Sequence, residues 1–310
     1  MQSKICTLFE MTRPKNIVIA IITLVVGYML LGFPNSLFAP DDCNSDLDWI
    51  GWSIVIRLAL AFAFAIGFAN IQNDILDLES DKVNRPERPL VTGKISVKTA
   101  RITWISMFIL MLIFGLDSFP LILFFPLLGL LLIAYNKWLK HIPLLKNMTV
   151  AFLCTTPLLY ALMDFIQLSK ISGSINPQDF IWAIIPAIPF AFLLTTAREI
   201  YKDLEDETGD LKAGIMTFPL IAGSATARRL AGAIILFTWI SLPLPIFYMD
   251  KVFGHNYPPL FLIITGITLT PIFAVILFSA RRKNYRRAQS LTKVAMFLGL
   301  VALIASSTIN

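Results

Sequence analysis

The chain has 310 residues, of which 56% are hydrophobic and 15% are charged, and its mean hydropathy is +0.73. This composition excludes an ordinary soluble domain, and a formal charge of +6 is what Lys and Arg flanking membrane helices produce, so nucleic acid is not predicted as a partner. The three cysteines, Cys6, Cys43 and Cys154, have neither metal-ligand nor disulfide spacing.

The apolar segments are continuous rather than alternating, which predicts membrane-spanning helices and not a β-barrel. We predict an all-α membrane protein in which nine spans surround a central cavity that opens to an Asp-rich cytoplasmic cap. The predicted spans are 16–34, 53–72, 102–117, 119–135, 147–167, 180–198, 228–248, 258–280 and 290–308. The polar break and proline at 117–120 predict a tight turn between the third and fourth spans. The first span lacks a small-residue cleavage site, so it is predicted to be retained.

The basic residues predict the orientation. With the N-terminus in the cytoplasm, nine spans place 23 of the 26 Lys and Arg in inner segments. Only Lys170 and Lys251 fall outside, and Arg57 lies near the outer end of the second span, where it is expected to snorkel. The sequence therefore predicts a multi-pass cell-membrane protein, folded as one domain over 1–310, with its C-terminus outside.

Two acidic segments, at 70–89 and 198–212, follow the second and sixth spans. A shift of 129 residues superposes Asp74, Asp77 and Asp81 on Asp203, Asp206 and Asp210. On a helix, residues three and four apart share a face, so each segment predicts a stripe of carboxylates, with Asn73, Asp77 and Asp81 in the first. Hydrophilic helix ends explain one such segment but not two with matched spacing, and a calcium-sensor loop has a different spacing.

Stacked carboxylates repel one another, so a cation is expected beside them. Mg²⁺ suits these oxygens because it commonly combines one or two carboxylates with water and phosphate. Basic residues near the acidic segments supply charges for phosphate oxygens. They are Arg13, Arg85, Arg88, Lys94, Lys140, Arg198, Lys202 and Lys212.

The sequence resembles the UbiA superfamily of intramembrane prenyltransferases. Asn73-Asp74-x-x-Asp77-x-x-x-Asp81 and the following Asn84-Arg85-Pro86-x-Arg88-Pro89 are similar to the family's first motif, and Asp206-x-x-x-Asp210 to its second. Smaller matches are Arg13-Pro14 and the stretch from Tyr135 through Lys140 to Asn147, although Lys146 stands where many members have glycine. The segment from Arg198 to Asp210 is most similar to geranylgeranylglyceryl phosphate geranylgeranyltransferases.

The resemblance implies an Mg²⁺-dependent transferase that ionises a prenyl diphosphate in the membrane and prenylates a lipid-soluble acceptor. We predict that the metal ligands are Asn73, Asp74, Asp77, Asp81, Asp203, Asp206 and Asp210. Among these, Asp77, Asp81, Asp206 and Asp210 are expected to carry catalysis together with Lys202. The residues expected to contact diphosphate or acceptor are Arg13, Asn16, Asn70, Asn73, Arg85, Arg88, Tyr135, Lys140, Asn147, Arg198 and Lys202.

Other functions remain open at this stage. An aromatic acceptor from a quinone, haem or chlorophyll pathway would use the same metal motifs. A cation-coupled transporter usually places its carboxylates near the bilayer midplane, whereas these lie at helix ends. A scaffold would have no use for the matched spacing. No obligate protein partner is predicted.

Overall fold

The structure is a computed structural model that describes residues 4–31, 45–117, 119–172, 181, 184–212, 214–244 and 264–307. These residues form helices and turns, with no strand among them. The predicted all-α class is therefore confirmed for this part of the chain. By its contacts the chain divides into two compact units: residues 1–25 with 34–140, and residues 26–33 with 141–310.

The first unit is built on α3, a 32-residue helix over Ser45–Leu76. It is preceded by α1 (Lys4–Met11) and α2 (Pro14–Leu30), and followed by α4 (Leu78–Asn84), α5 (Val97–Phe114) and α6 (Phe124–Lys137). Helix α3 packs mainly on α5 and also on α6 and α1. Below the acidic segment, Met11, Ile71 and Ile95 belong to a buried apolar cluster that holds the surrounding backbone in place.

The second unit is organised around α8 (Ile184–Lys212), which packs against most of the unit's other long helices. Its neighbours are α7 (Leu145–Ser172), α10 (Ser224–Ser241) and α12 (Tyr285–Ser307), while α9 (Phe218–Ala222) and α11 (Thr270–Arg281) complete the unit. Leu194, Ile200 and Phe273 lie in the apolar core around α8. The second acidic segment is thus the last part of a long, packed helix.

Within the described residues, four helices are long and apolar enough to cross a membrane, or five if the bent pair α1 and α2 counts as one span. Helix α5 shows the expected outward face, since Ile102, Ile105, Ile109 and Ile113 are exposed at spacings of three and four residues. Helices overlap all nine predicted segments within the described residues, but the count of nine crossings stays a prediction. Lys251, which the predicted orientation places in an outer segment, is not among the described residues.

The predicted turn between the third and fourth spans is confirmed, because α5 ends at Phe114 and the next helical turn begins at Leu121. Arg57 donates to Asp117 Oδ2 at 2.9 Å and to the carbonyls of Phe114 and Leu116. The guanidinium therefore caps the C-terminal end of α5, which gives Arg57 a protein partner at the position where snorkelling is predicted.

Candidate active site

The first acidic segment lies where α3 gives way to α4. Asp77 stands between the two helices with φ of −89° and ψ of 4°. Backbone hydrogen bonds from Asp77 N to Asn73 O (2.9 Å) and from Asp81 N to Asp77 O (2.8 Å) continue through this break. The acidic residues therefore stay on successive helical turns. The spacing predicts one continuous helix, whereas the structure has a break at Asp77.

Asn73 and Asp77 share one cation. Lys140, in a short turn after α6, places Nζ 2.6 Å from Asp77 Oδ1 and 3.0 Å from Asn73 Oδ1. Asn73 Nδ2 also donates to Asp77 Oδ2 at 2.8 Å. The amide and carboxylate oxygens of this pair therefore converge on a point that a positive charge occupies.

Asp74 and Asp81 share another cation. Arg88 Nη1 lies 2.8 Å from Asp74 Oδ1 and 2.6 Å from Asp81 Oδ2, and all three side chains are largely buried. Arg13 Nη2 is 3.5 Å from Asp74 Oδ1. Asn73, Asp77 and Asp81 keep the predicted four-residue backbone spacing, and Arg88 in addition joins Asp81 to Asp74.

The bend between α1 and α2 brings Arg13 to this segment. The two helices meet at 54°, and Arg13 has a positive φ of 57°, an uncommon conformation for a non-glycine residue. Asn70 Nδ2 donates to the carbonyl of Thr12 at 3.0 Å, so Asn70 anchors the bend. The side chain of Asn16, two residues into α2, is exposed and makes no hydrogen bond with a described residue.

The second acidic segment has a different charge balance. Asp203, which is 5% exposed, is contacted by Lys146 Nζ through Oδ1 and by Asn147 Nδ2 through Oδ2, each at 2.9 Å. Asp206 is exposed and Asp210 partly buried, and neither forms a hydrogen bond or ion pair through its side chain with another described residue. The second segment therefore leaves two carboxylates four residues apart available to an external cation.

One turn before Asp203, a buried carboxylate lies between two cations. Arg198 Nη2 contacts Glu199 Oε1, and Lys202 Nζ is 3.9 Å from Glu199 Oε2. Arg198 and Lys202 are thus near a negative charge on α8 before any ligand binds. Glu199 lies in the segment that carries the resemblance, but it was not among the predicted site residues.

Several other predicted residues lie on the same two units. Arg85 and Lys94 are exposed in the first unit, and Tyr135 is partly buried on α6. The neighbouring Asn136 is 4% exposed and donates to Ala69 O (2.8 Å) and Gln72 Oε1 (2.9 Å), which fixes α6 against α3 ahead of Lys140. In the second unit, Lys212 is exposed at the end of α8.

A longer internal repeat accompanies the two acidic segments. The pairs Lys15-Asn16 and Lys146-Asn147 each follow a helix entry at a residue with positive φ, Arg13 (57°) and Leu144 (65°). Similarly, Gly93 and Gly223 both have positive φ, 73° and 86°, four residues after a proline in the same sequence context. Each unit therefore repeats a set of local elements around its acidic segment.

The side-chain oxygens of the acidic segments fit Mg²⁺ when water and substrate phosphate supply the other ligands. Among the described residues, no three acidic, histidine or cysteine side chains lie close enough to hold a metal ion by themselves. Mg²⁺ commonly binds only one or two carboxylates and completes its octahedron with water and substrate phosphate. The paired oxygens of Asn73 and Asp77, which already converge on an ammonium, fit a cation that binds together with phosphate.

Replacing Lys146 with Met is expected to destabilise the protein by about 3 kcal/mol, because Asp203 stays buried and loses its only ion pair among the described residues. Unfolding in mixed micelles during SDS titration measures this change. Lys202→Met is the matched control, since Lys202 is 55% exposed and its single ion pair spans 3.9 Å; a change within about 0.5 kcal/mol is expected. Equal stability of the two variants would contradict the role of Lys146.

Comparisons with known proteins match this sequence to one family. The model of the UbiA prenyltransferase family matches residues 45–301. The digeranylgeranylglyceryl phosphate synthase of Methanosarcina mazei is 31% identical over 309 residues, covering 98% of this chain and 99% of that protein. The synthase of the same name from Methanopyrus kandleri is 30% identical over 298 residues, covering 96% and 97%.

Solved structures show the same fold. A structure of digeranylgeranylglyceryl phosphate synthase superposes with a TM-score of 0.73 at 24% identity over the whole of both chains. A UbiA homolog from Archaeoglobus fulgidus bound to GPP and Mg²⁺ superposes with a TM-score of 0.60 at 17% identity, covering 96% of this chain and 99% of that chain.

Proposed function

The chain belongs to the UbiA prenyltransferase family, and from that premise we propose that it transfers a geranylgeranyl group from its diphosphate to the free hydroxyl of geranylgeranylglyceryl phosphate. That it is a prenyltransferase and a multi-pass membrane protein follows from the family. The choice of substrates is supported by the name that relatives about 30% identical over nearly their full length share.

The observation that carries the proposal is the arrangement of charges in the two acidic segments. In the first, Asp74, Asp77 and Asp81 are held by Arg88, Lys140 and Arg13. In the second, Asp206 and Asp210 have no described ion-pair partner. Such a set of anions and cations is complementary to a magnesium diphosphate, which itself carries both signs of charge.

We assign Asn73, Asp74, Asp77 and Asp81 of the first segment, and Asp203, Asp206 and Asp210 of the second, as the residues that would hold Mg²⁺. When bound, the metal supplies positive charge that stabilises the departing diphosphate. Asp206 and Asp210 are the most accessible of these ligands, because no protein cation has to leave before they bind.

The basic side chains have a separate task. Asp77 positions Lys140, and Asp74 together with Asp81 positions Arg88. This preorganisation lowers the free-energy cost of orienting the two cations toward phosphate oxygens. Arg13, Arg85, Lys202 and Arg198 add positive charge as the allylic C–O bond ionises. Asn70 acts through Arg13, whose bend it anchors, while Asn147 acts through Asp203.

The prenyl chain and the lipid acceptor belong in apolar surroundings. An allylic cation must be kept from water until the acceptor attacks, and helices that are apolar over most of their length provide such an environment. Tyr135 is proposed to orient the acceptor or the diphosphate. We place both acidic segments and the N-terminus on the cytoplasmic side and the C-terminus outside, since 23 of 26 basic residues then lie inside.

Mass spectrometry of reaction products tests the proposed function. Purified protein is incubated with geranylgeranyl diphosphate, Mg²⁺ and one acceptor at a time: geranylgeranylglyceryl phosphate, a hydroxybenzoate or a naphthoate. We expect an ether product only with geranylgeranylglyceryl phosphate, and we expect chelation by EDTA to abolish it. A carbon-linked product with an aromatic acceptor would show that the proposed acceptor is wrong. The absence of product with all three acceptors would contradict the assigned function.

A further inference from the structure

Glu199 is a buried carboxylate that the metal and diphosphate roles do not use. It is 8% exposed and lies on α8, fifteen residues after the helix begins in an apolar segment. Burying an ionised carboxylate is costly, and Glu199 is buried where the sixth predicted span ends and the acidic segment begins. Glu199 therefore requires an explanation beyond stability.

The position of Glu199 continues the acidic face of α8. Glu199, Asp203, Asp206 and Asp210 follow one another at spacings of four, three and four residues, which places them on one side of a helix. Glu199 is the member of this row nearest the apolar start of α8, about 6 Å along the axis from Asp203. We expect a prenyl diphosphate that the later members hold by its phosphates to direct its hydrocarbon toward this apolar part of α8.

The two oxygens of Glu199 have different surroundings. Oε1 accepts from Arg198, whereas Oε2 has Lys202 Nζ at 3.9 Å, beyond hydrogen-bond distance. No described residue donates a hydrogen bond to Oε2. Oε2 therefore keeps lone pairs with which it can accept a proton from a hydroxyl group.

We infer that Glu199 is the proton acceptor for the hydroxyl group of the prenyl acceptor, an inference that rests on the proposed function. The bond between prenyl C1 and the diphosphate oxygen breaks, and its electron pair leaves with the diphosphate. A lone pair of the acceptor hydroxyl oxygen forms the new C–O bond to C1. The proton of that oxygen passes to Glu199 Oε2 and is later released to water, so the carboxylate is regenerated.

An aromatic acceptor would attack through carbon, and its proton would leave from a different position. The inference therefore predicts that the prenyl acceptor is an alcohol. An alternative role for Glu199 is to orient Arg198 and Lys202 for phosphate binding. In that case, loss of the carboxylate would weaken binding of the diphosphate or of the phosphorylated acceptor.

Glu199→Gln and Glu199→Ala test the inference, with Glu205→Gln as the matched control. Glu205 lies on the same helix, is exposed, and accepts from Gln289 instead of facing the acidic row. Three quantities are measured: Mg²⁺-dependent equilibrium binding of geranylgeranyl S-thiolodiphosphate, the ether product, and geranylgeraniol formed when water captures the prenyl group.

We expect Glu199→Gln to bind the thiolo analogue within threefold of wild type while its kcat for ether formation falls about 100-fold, the usual contribution of a general base. The share of geranylgeraniol should rise, and added formate should restore ether formation to Glu199→Ala. The control should match wild type in all three measurements.

Ether formation within threefold of wild type in Glu199→Gln would overturn the inference, as would parallel loss of analogue binding and ether. Failure of both Glu199 variants to fold would also overturn it, since Glu199 would then be a structural residue. These outcomes differ from failure of the proposed function, in which wild-type protein forms no ether from geranylgeranylglyceryl phosphate.

Discussion

Replacing Asp206 with Asn is expected to lower kcat at least about 100-fold with little change in stability. The lost metal contact is worth about 3 kcal/mol of transition-state stabilisation, and each 1.36 kcal/mol corresponds to about one factor of ten in rate. Asp206 is exposed and forms no hydrogen bond or ion pair with a described residue, so the isosteric amide removes charge without breaking a protein contact. Diphosphate release from geranylgeranyl diphosphate measures the effect.

Glu205→Gln is again the control, because it removes one negative charge from the adjacent position. It should keep turnover within about threefold of wild type, and its Mg²⁺ dependence should not change. Asp206→Asn, by contrast, should need a higher Mg²⁺ concentration for half-maximal rate. If Asp206→Asn also stayed within about threefold of wild type, Asp206 would not be a metal ligand.

Replacing Arg88 with Met is expected to cost about 3–5 kcal/mol of unfolding free energy, because it leaves Asp74 and Asp81 as buried carboxylates without the cation that joins them. Arg13 at 3.5 Å compensates only for Asp74. This is the largest stability effect that we expect from a single replacement in either acidic segment. Unfolding of purified protein in mixed micelles, followed by tryptophan fluorescence during SDS titration, measures it.

Arg85→Met is the control for Arg88, since Arg85 lies in the same loop, is exposed, and pairs with no described residue. Its stability should stay within about 0.5 kcal/mol of wild type. Adding Asp81→Asn to Arg88→Met should recover part of the lost stability, because one of the two unpaired charges is removed. If the double variant were less stable than Arg88→Met, the ion pair would not be the cause.

The agreement between sequence and structure is closest where the physical cause is local. Apolar length predicts where α3, α7 and α8 lie, since a run of about 20 apolar residues has few alternatives to a helix in a bilayer. The spacing of Asp74, Asp77 and Asp81 predicts that they occupy successive turns, because helix geometry sets which neighbours meet. The turn near Pro120 follows from local backbone restrictions in the same way.

The partners of these carboxylates depend on contacts between distant parts of the chain. Lys140 is 63 residues from Asp77, and Lys146 is 57 residues from Asp203. Basic residues at the inner ends of helices are common, so their sequence positions did not distinguish Lys140 and Lys146 from exposed residues such as Arg85. The contact that joins Asp74 to Asp81 likewise depends on where Arg88 is held.

The sequence by itself determined that this is a helical membrane protein with two acidic segments of equal spacing, because hydropathy and helix periodicity act over a few turns. Only the tertiary structure decided which cation neutralises which carboxylate, why Asp206 and Asp210 remain available, and that Glu199 is buried between Arg198 and Lys202. Charge pairing depends on distances of a few ångströms between side chains, and packing of the helices sets those distances.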